Sequence, residues 1–277
     1  PTTADFSVHS AHMRTALQRR LALPLNPPPP PPHDPWGDSL QNMGEHTYRH
    51  DGPKDKWYDA LVAAYGSVLT AIDPADGTHE AYSPGYRPDL VALHHALDGI
   101  HHLLADVKVG NPFLKSLTQQ DAPRAAAVAF AHTEEHFTEN VLGRAAFTRG
   151  RPGPFRRRDN TGSRVARVAD YAGALARHHT VVPIIHEVFG GWGWRAVRLF
   201  RQMARGRADS IDAAESSWAA RSFTAFHAQR ISVAIHVRSA AEILRNLRTT
   251  TTELARAAHR RRERVRPGTR RCVPGAA

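Results

Sequence analysis

The sequence contains a single cysteine, Cys272, among 277 residues. One thiol excludes an internal disulfide framework and any zinc module built from several cysteines, so we expect a reducing, intracellular setting. No apolar run approaches the roughly 20 residues that span a bilayer, and the polar start lacks the features of a secretory signal. Glycine-rich phosphate loops and nucleophile elbows are also missing, which argues against the enzyme classes built on them.

Acidic residues are in deficit, 26 against 37 basic ones, and the deficit is uneven along the chain. Residues 1–100 carry seven basic and twelve acidic side chains, whereas residues 101–277 carry 30 and 14, a net charge of +16. Such a field attracts a polyanion, either nucleic acid or an acidic membrane surface. The basic residues are 33 arginines and four lysines. Arginine favours bidentate contacts with phosphate, although genomic base composition produces the same bias.

The apolar content of 41% is sufficient for an ordinary core, and composition divides the chain into five segments. The predicted segments are a short helical lead at residues 1–25, a proline-rich linker at 26–51, an α/β core at 52–210, a C-terminal helix at 211–258 and a basic tail at 259–277. Six consecutive prolines at residues 27–32 predict an extended spacer that stays outside the core.

Hydrophobic spacing predicts a helix at residues 53–71, with Pro53 in its first turn, and then three extended segments. The predicted elements after this helix are strands at residues 79–82, 88–97 and 100–109, helices at 122–142 and 164–178, a strand at 180–186, and helices at 193–206 and 212–248. Residues 143–163 form a long basic loop. This order predicts an α/β fold with a mixed sheet and added C-terminal helices.

Asp98 and Gly99 form the dipeptide preferred in two-residue hairpin turns, so the flanking strands are predicted to pair around it. That register places Asp89 opposite Lys108, with Asp106 at a diagonal position. Because side chains alternate with a period of two, these three charged residues share one face of the sheet. The opposite face receives an apolar set suited to packing on a helix: Leu90, Ala92, Leu103, Ala105, Val107 and Val109.

Two carboxylates about 7 to 8 Å apart on a diagonal can bind one divalent ion with an ammonium group beside it. Two carboxylates, a divalent ion and an ammonium group suit the hydrolysis of a phosphodiester. Mg²⁺ keeps several waters, activates one of them and neutralises the charge that grows on the phosphate. The lysine orients or deprotonates the water, or stabilises the developing charge. The alternative is structural, with Asp89 closing a turn and with Asp106 and Lys108 forming a surface cross-strand pair.

The run Arg87-Pro88-Asp89 followed by Asp106-Val-Lys108 resembles the signature of the PD-(D/E)XK nucleases, whose core has the order helix, three strands, helix, strand. The chain contains one Pro-Asp pair, and chance places D/E-x-K in the matching window only about 0.015 times. Longer segments are similar to the restriction-endonuclease-like region that follows reverse transcriptase in non-LTR retrotransposon polyproteins: "MRTALQRRLALPL", "RHDGPKDKWYDAL", "YRPDLV", "LLADVKVGNPF", "VVPIIHEVFGGWG" and "ARSFTAFHAQRISVAIH". The resemblance covers residues 13–247.

The resemblance implies a metal-dependent endonuclease that cuts DNA at the target site of such an element. In that family pattern Asp89 and Asp106 bind Mg²⁺ or Mn²⁺, Lys108 is the catalytic lysine, and Glu187, after the fourth strand, assists. The implied partners are DNA, the element RNA and the rest of the polyprotein, with no membrane, and the implied location is the nucleus. A start without methionine also favours a fragment of a longer product.

Arginines are the expected nucleic-acid contacts outside the carboxylate site. Three of them belong to the basic loop, and Arg87 precedes the Pro-Asp pair. Arg167 lies a helical turn from Tyr171, on a helix where relatives place basic and tyrosine residues. An ordinary amphipathic helix explains Arg167 and Tyr171 equally well. The expected contacts are Arg87, Arg156, Arg157, Arg158 and Arg167.

Relatives carry a Cys/His zinc knuckle upstream of "RHD", where this chain has "HDPWGDSLQNMGEHTYRHD". Ser39 and Met43 occupy positions at which metal ligands are expected, so the segment within residues 26–51 is a degenerate zinc-knuckle-like segment. We therefore expect that its zinc site is lost. The histidines that remain are expected to be surface polar groups: His33, His46 and His50.

A catalytically silent, nucleic-acid-binding relic is the second hypothesis, because loop and tail arginines supply affinity without a metal site. Only the nuclease is expected to cut DNA with Mg²⁺ or Mn²⁺ and to lose cutting, with binding retained, on Asp106→Ala. Residues 132–136 also match the inverted zinc-peptidase pattern H-x-x-E-H, a match that eighteen histidines make easy to obtain by chance.

Overall fold

The computed structural model describes residues 8–21, 23–41, 47–67, 70–73, 87–93, 101–111, 122–143, 169–213, 216 and 220–265. The helices in this part of the chain are α1 (Ser10–Arg20), α2 (Asp38–Gln41), α3 (Thr47–Tyr65), α4 (Ala122–Leu142), α5 (Ala172–Ala176), α6 (Trp194–Gly206) and α7 (Phe223–Val265). The strands are β1 (Thr70–Ile72), β2 (Leu90–Ala92), β3 (Leu103–Gly110) and β4 (Thr180–Glu187). None of the described helices combines the length and apolarity needed to cross a membrane.

The four strands form one mixed sheet in the order β1-β2-β3-β4. β1 pairs with β2 and β2 with β3 in antiparallel fashion, whereas β3 and β4 are parallel. Most residues of both parallel strands are buried, as expected for strands covered by helices on both faces. The predicted α/β class with a mixed sheet is therefore confirmed.

One face of the sheet packs on α3, α6 and α7. The predicted apolar set of β2 and β3 is buried there, in one cluster with Trp57 of α3, Phe200 of α6 and Ile231 of α7. Complete burial of a side chain of this size contributes about 1.5–3 kcal/mol. The predicted division of β2 and β3 into two faces is therefore confirmed for the apolar side.

The other face of the sheet packs on α4 and α5. Leu104 and Ile185 lie in a second buried cluster with Phe137 of α4 and Tyr171 at the start of α5. Tyr171 is 1% exposed and fills this core, which leaves its side chain inaccessible to a phosphate. The predicted helix at residues 164–178 is represented in the described residues only by α5.

The predicted helix at residues 53–71 ends earlier than expected. The structure ends α3 at Tyr65, and β1 overlaps the last two residues of the range predicted as helix. The predicted strand at residues 79–82 lies outside the described part of the chain. Gly66 follows the helix with φ of +92°, the left-handed conformation in which helices commonly end. The helix also begins earlier than predicted, at Thr47, so Pro53 lies inside it.

The predicted register of the hairpin is wrong by two residues. Leu90 pairs with Ala105, so continuing the ladder by one position sets Asp89 opposite Asp106, where Lys108 was expected. A slip of two residues preserves the alternation of side chains, so all three charged residues keep their shared face. The predicted turn at Asp98 and Gly99 lies outside the described residues.

Residues 25–41 differ from the predicted linker because they pack on α7. Leu25, Leu40 and Ile243 form a small buried cluster, and Leu40 is completely inaccessible. The last predicted helix, at residues 212–248, is displaced, because α7 runs from Phe223 to Val265. Residues 251–261 of α7 are exposed along their whole length.

Candidate active site

Asp89 and Asp106 meet on the face of the sheet that packs on α4. Asp89 precedes β2, and its Oδ2 accepts hydrogen bonds from the Val107 N–H at 2.6 Å and from His50 Nε2 at 3.0 Å. The carboxyl group of Asp106 is its neighbour, because continuing the β2–β3 ladder sets the two residues opposite each other. The backbone of Asp89 is fixed by the residue that follows β1, because the Asp73 N–H donates to the Asp89 carbonyl at 2.9 Å.

The two carboxyl groups differ in their affinity for a proton. Burial and then the negative charge of Asp89 raise the pKa of Asp106 to about 8. Burial also acts to raise the pKa of Asp89, but the hydrogen bond and charge of His50 outweigh it and lower the pKa. The pair therefore holds one proton at neutral pH, mainly on Asp106. A second positive charge between the oxygens would displace that proton.

Lys108 lies two positions beyond Asp106 on the same face of β3. Burial lowers the pKa of its ammonium group, Asp106 acts in the opposite direction, and Arg49 lowers it further. Its Nζ lies 5.2 Å from the centre of the Phe137 ring on α4. In the described ranges Lys108 makes no ion pair, so its amine is held by burial and by the aromatic ring.

His50 is a site residue that the sequence interpretation missed. It was expected to be a surface group, yet its side chain is only 20% exposed and contacts both Asp89 and Asp51. Burial acts to lower its pKa, but the hydrogen bond to Asp89 outweighs burial and the pKa is raised. The sequence contained a signal that His50 faces inward. His50 precedes the buried Trp57 by two helical turns and therefore lies on the same face of the helix.

Lys54 connects α3 to β1 beside the carboxylate pair. Its Nζ lies 2.5 Å from Asp73 Oδ2 and 3.5 Å from Asp51 Oδ1. Burial acts to lower the pKa of Lys54, but its contacts with Asp73 raise it, so the amine stays charged. This lysine is occupied by structural ion pairs, which distinguishes it from Lys108.

Glu187 is not brought to the carboxylate pair. Asp106 is paired with Pro183, so Glu187 lies four residues farther along β4, about 13 Å in the strand direction. Its carboxylate accepts the backbone N–H of Gly191, and Arg20 is the charge nearest to it. Burial raises its pKa. The assisting role of Glu187 stays a prediction that this geometry does not favour.

The predicted nucleic-acid contacts are mostly outside the described residues. Arg156, Arg157, Arg158 and Arg167 all belong to that group. Arg87 is described, and it is exposed two residues before Asp89. It is the one predicted contact for which the described ranges give a position, and that position is at the edge of the site.

Asp34 of the zinc-knuckle-like segment caps a helix. Asp34 accepts hydrogen bonds from the backbone N–H groups of Trp36, Asp38 and Ser39, which caps α2. Asp38 is in turn paired with Arg19 of α1 at 2.5 Å. Within the ranges that the structure describes, no three His, Cys, Asp or Glu side chains form a ready-made metal-binding group.

Asp89 and Asp106 nevertheless suit a hard divalent cation. Mg²⁺ keeps most of its waters and is commonly bound by only one or two carboxylates. The proton shared by the pair marks a place where positive charge is favourable, and the buried sheet face holds both groups in position. The donor set of oxygens fits Mg²⁺ or Mn²⁺ and does not fit zinc.

Stability should depend on pH and on divalent metal through Asp106. Its folded-state pKa of about 8 lies above its ordinary value of 3.8, so this contribution to stability is present in acid and is lost as the pH rises from about 4 to 8. A Mg²⁺ ion bound by the pair would replace the proton, so Mg²⁺ should raise the Tm more at pH 8 than at pH 6. Thermal unfolding with Mg²⁺ or EDTA measures this. Asp106→Asn should remove both effects, and an equal Mg²⁺ shift in that variant would contradict the assignment.

Comparisons of the chain with protein-family models, with curated proteins and with solved structures found no match.

Proposed function

We propose that this chain is a metal-dependent endonuclease of the PD-(D/E)XK type, the DNA-cutting part of a reverse-transcriptase-associated retrotransposon protein. The observation that carries the proposal is the buried Asp89–Asp106 pair with Lys108 on the same sheet face. The order of α3, three strands, α4 and β4 supports it, because it is the order implied by the sequence resemblance. The proposed substrate is a DNA phosphodiester at the target site of the element.

In this proposal Asp89 and Asp106 hold Mg²⁺ or Mn²⁺, and the ion supplies charge neutralisation at the phosphate together with a more acidic water. Asp106 gives up its proton when the ion binds. His50 keeps Asp89 ionised and oriented through its hydrogen bond. Lys108 acts on the attacking water or on the charge that develops on the phosphate oxygens.

A cleavage assay tests the proposal. The protein should nick or cut plasmid DNA with Mg²⁺ or Mn²⁺ and should not do so with EDTA. Asp106→Asn is the matched variant, because it keeps the side-chain shape and removes the charge that binds metal. It should lose cleavage while binding the same DNA in EDTA as well as the unchanged protein. Metal-independent cutting, or full activity of Asp106→Asn, would overturn the proposal.

An inactive nucleic-acid-binding relic is the second candidate function. The net charge of +16 over residues 101–277 favours it, since this charge gives affinity for nucleic acid without any metal. The same assay separates the two functions. A relic binds DNA with salt-sensitive affinity and leaves it intact in every metal.

The exposed end of α7 should contribute nonspecific affinity. Residues 251–261 are exposed, and the arginine-rich tail continues from there. Each phosphate contact on duplex DNA adds roughly 0.9 to the slope of log affinity against log salt, so truncation after Thr252 should make that slope shallower. Fluorescence anisotropy over a salt series measures it. If the truncated protein keeps the same affinity and the same slope, the tail has no part in binding, and a nuclear-targeting role replaces it.

A further inference from the structure

The outer face of α6 carries a row of arginines that ends at an exposed tryptophan. The inner face of this helix is buried, with Leu199, Phe200 and Met203 in the main core. The exposed positions follow at intervals of four, three and four residues, so they form one stripe along the helix: Trp194, Arg198, Arg201 and Arg205. We call these four residues the α6 stripe.

The charge of the α6 stripe is not balanced within the helix. The sequence of α6, WRAVRLFRQMARG, contains four arginines and no acidic residue. Among the described residues, a carboxylate meets the helix at its start, where Glu134 of α4 accepts the Trp194 N–H at 2.8 Å. Burial lowers the pKa of Arg195, and the charge of Glu134 opposes this shift. A solvated helix face usually alternates the signs of its charges, so this one favours a polyanion.

Trp194 is large, apolar and fixed in place. Its side chain is 54% exposed, although burial of an indole is strongly favourable. Its backbone is held by Glu134 and by the preceding residue, because the Gly193 N–H donates to the Ile185 carbonyl at 2.9 Å. The guanidinium of Arg195 lies 4.4 Å from the ring centre and supports it. The ring is therefore presented from a rigid helix start.

We propose that the α6 stripe binds an unpaired nucleic-acid strand, with Arg198, Arg201 and Arg205 on consecutive phosphates and with a base stacked on Trp194. Arg198 and Arg205 are separated by about 10 Å along the helix, which is enough to contact more than one phosphate of a single strand. Aromatic rings beside basic grooves hold unpaired bases in this way, whatever the sequence. A paired base in an intact duplex does not offer its ring face.

The start of the α6 stripe lies beside β4 at the edge of the sheet, next to the strand pair that carries Lys108. The body of α6 packs on the face opposite the candidate active site. Gly193 is bonded to Ile185, and Ile185 is the β-sheet partner of Lys108. Trp194 therefore begins about two strand spacings, about 10 Å, from the backbone of Lys108. The inference rests on the proposed function in one respect, that the bound strand is the strand being cut. Binding itself is measured without metal.

A membrane surface fits the α6 stripe less well. An interfacial helix inserts a broad apolar face, but the apolar face of α6 is already buried in the protein core. Only Trp194 would remain for insertion. Anionic lipid is therefore the alternative partner that the experiment has to distinguish.

The experiment measures binding of the full chain to a short fluorescent oligonucleotide, single-stranded or annealed to its complement, in EDTA. The triple variant R198Q/R201Q/R205Q should reduce the salt slope on the single strand by about 2, since each contact contributes roughly 0.7. The control variant R14Q/R221Q/R248Q removes the same charge from exposed positions outside both the α6 stripe and the exposed end of α7, and it should change the slope less. Trp194→Ala should weaken single-strand binding about fivefold or more, with much less effect on the duplex, and Trp194→Phe should restore most of it.

Three results would overturn the inference. The first is equal binding by the triple variant and its control. The second is an equal effect of Trp194→Ala on the single strand and on the duplex. The third is loss of binding to phosphatidylserine vesicles in the triple variant while oligonucleotide binding is unchanged. Failure of cleavage in the Asp106→Asn assay leaves these readouts unaffected, so the two proposals fail separately.

Discussion

Lys108→Ala should reduce the rate of metal-dependent cleavage about 100- to 1,000-fold while the protein still binds Mg²⁺ or Mn²⁺. The separation is expected because the amine is not a metal ligand. It lies on the same strand face as Asp106, and burial and the Phe137 ring hold it there without an ion pair in the described residues. Single-turnover cleavage measures the rate, and Mn²⁺ binding followed by electron paramagnetic resonance measures occupancy.

Two variants make the result specific to the amine of Lys108. Lys56→Ala removes the same charge from α3, where Lys56 pairs with Asp59 at 3.3 Å, and it should leave cleavage almost unchanged. Lys108→Arg separates the two roles of the lysine, since arginine supplies charge but cannot act as a base at neutral pH. Partial activity of Lys108→Arg would indicate charge stabilisation. Equal cleavage by Lys108→Ala and the unchanged protein would refute any catalytic role.

The elements predicted best from the sequence are those with a long, unambiguous pattern. The helix predicted at residues 122–142 matches α4, and those predicted at 193–206 and 180–186 match α6 and β4 within one residue. A helix of three or more turns and a strand of eight residues both contain several repeats of their period. The pattern therefore identifies them without knowledge of their partners.

Short elements were predicted poorly because their signal depends on tertiary contacts. β1 has only three residues, Thr70–Ile72, and its apolar positions continue the periodicity of α3. Gly66 was the available signal for the end of that helix, since a glycine just past the last helical turn is a common stop. The start of α7 was also misplaced, although a local signal was present: Ser222 caps the helix by accepting the Ala225 N–H at 3.2 Å.

The sequence predicted which face of the sheet carries the candidate site, but the predicted register of the strand pairing was wrong. Alternation alone assigns Asp89, Asp106 and Lys108 to one side, and a slip of two residues leaves that assignment intact. The register itself depends on the hairpin turn, which local sequence does not determine. The contact between His50 and Asp89 joins residues 39 positions apart, so it follows from how α3 packs on the sheet. No local pattern contains that information.

The α6 stripe was hidden in the sequence for a related reason. Its arginines are visible in WRAVRLFRQMARG, but an exposed tryptophan can be recognised only when the buried face of the helix is known. Trp192 and Trp194 differ by two positions, and the first packs on the aromatic core while the second faces solvent.

A buried ion pair joins α3 to α7, and removal of one partner should be strongly destabilising. Arg49 Nη1 lies 3.3 Å from Glu242 Oε2, with the two side chains 5% and 0% exposed. Arg49 also donates to the carbonyls of Val109 and Gln41, both at 3.1 Å. This arginine therefore connects the end of β3 to α2 and α7. Its positive charge also acts on Lys108.

Arg49→Ala should lower the free energy of unfolding by about 3–5 kcal/mol, because it leaves the Glu242 carboxylate buried without its positive partner. Burial already raises the pKa of Glu242, and loss of Arg49 raises it further. The deficit should therefore be larger at pH 8 than at pH 5, since the stability that a raised carboxyl pKa gives is present in acid and is lost as the pH rises. Urea unfolding at both pH values measures it.

Two comparisons decide whether the effect of Arg49→Ala comes from the unpaired charge. The double variant R49L/E242L should recover part of the loss, because it removes both charges, although the carbonyls of Val109 and Gln41 lose Arg49 as a donor. Asp212→Ala breaks an exposed pair with Arg207, at 3.8 Å, and should cost less than about 1 kcal/mol. If R49L/E242L is no more stable than Arg49→Ala, the lost hydrogen bonds of Arg49 explain the effect and the buried charge of Glu242 does not.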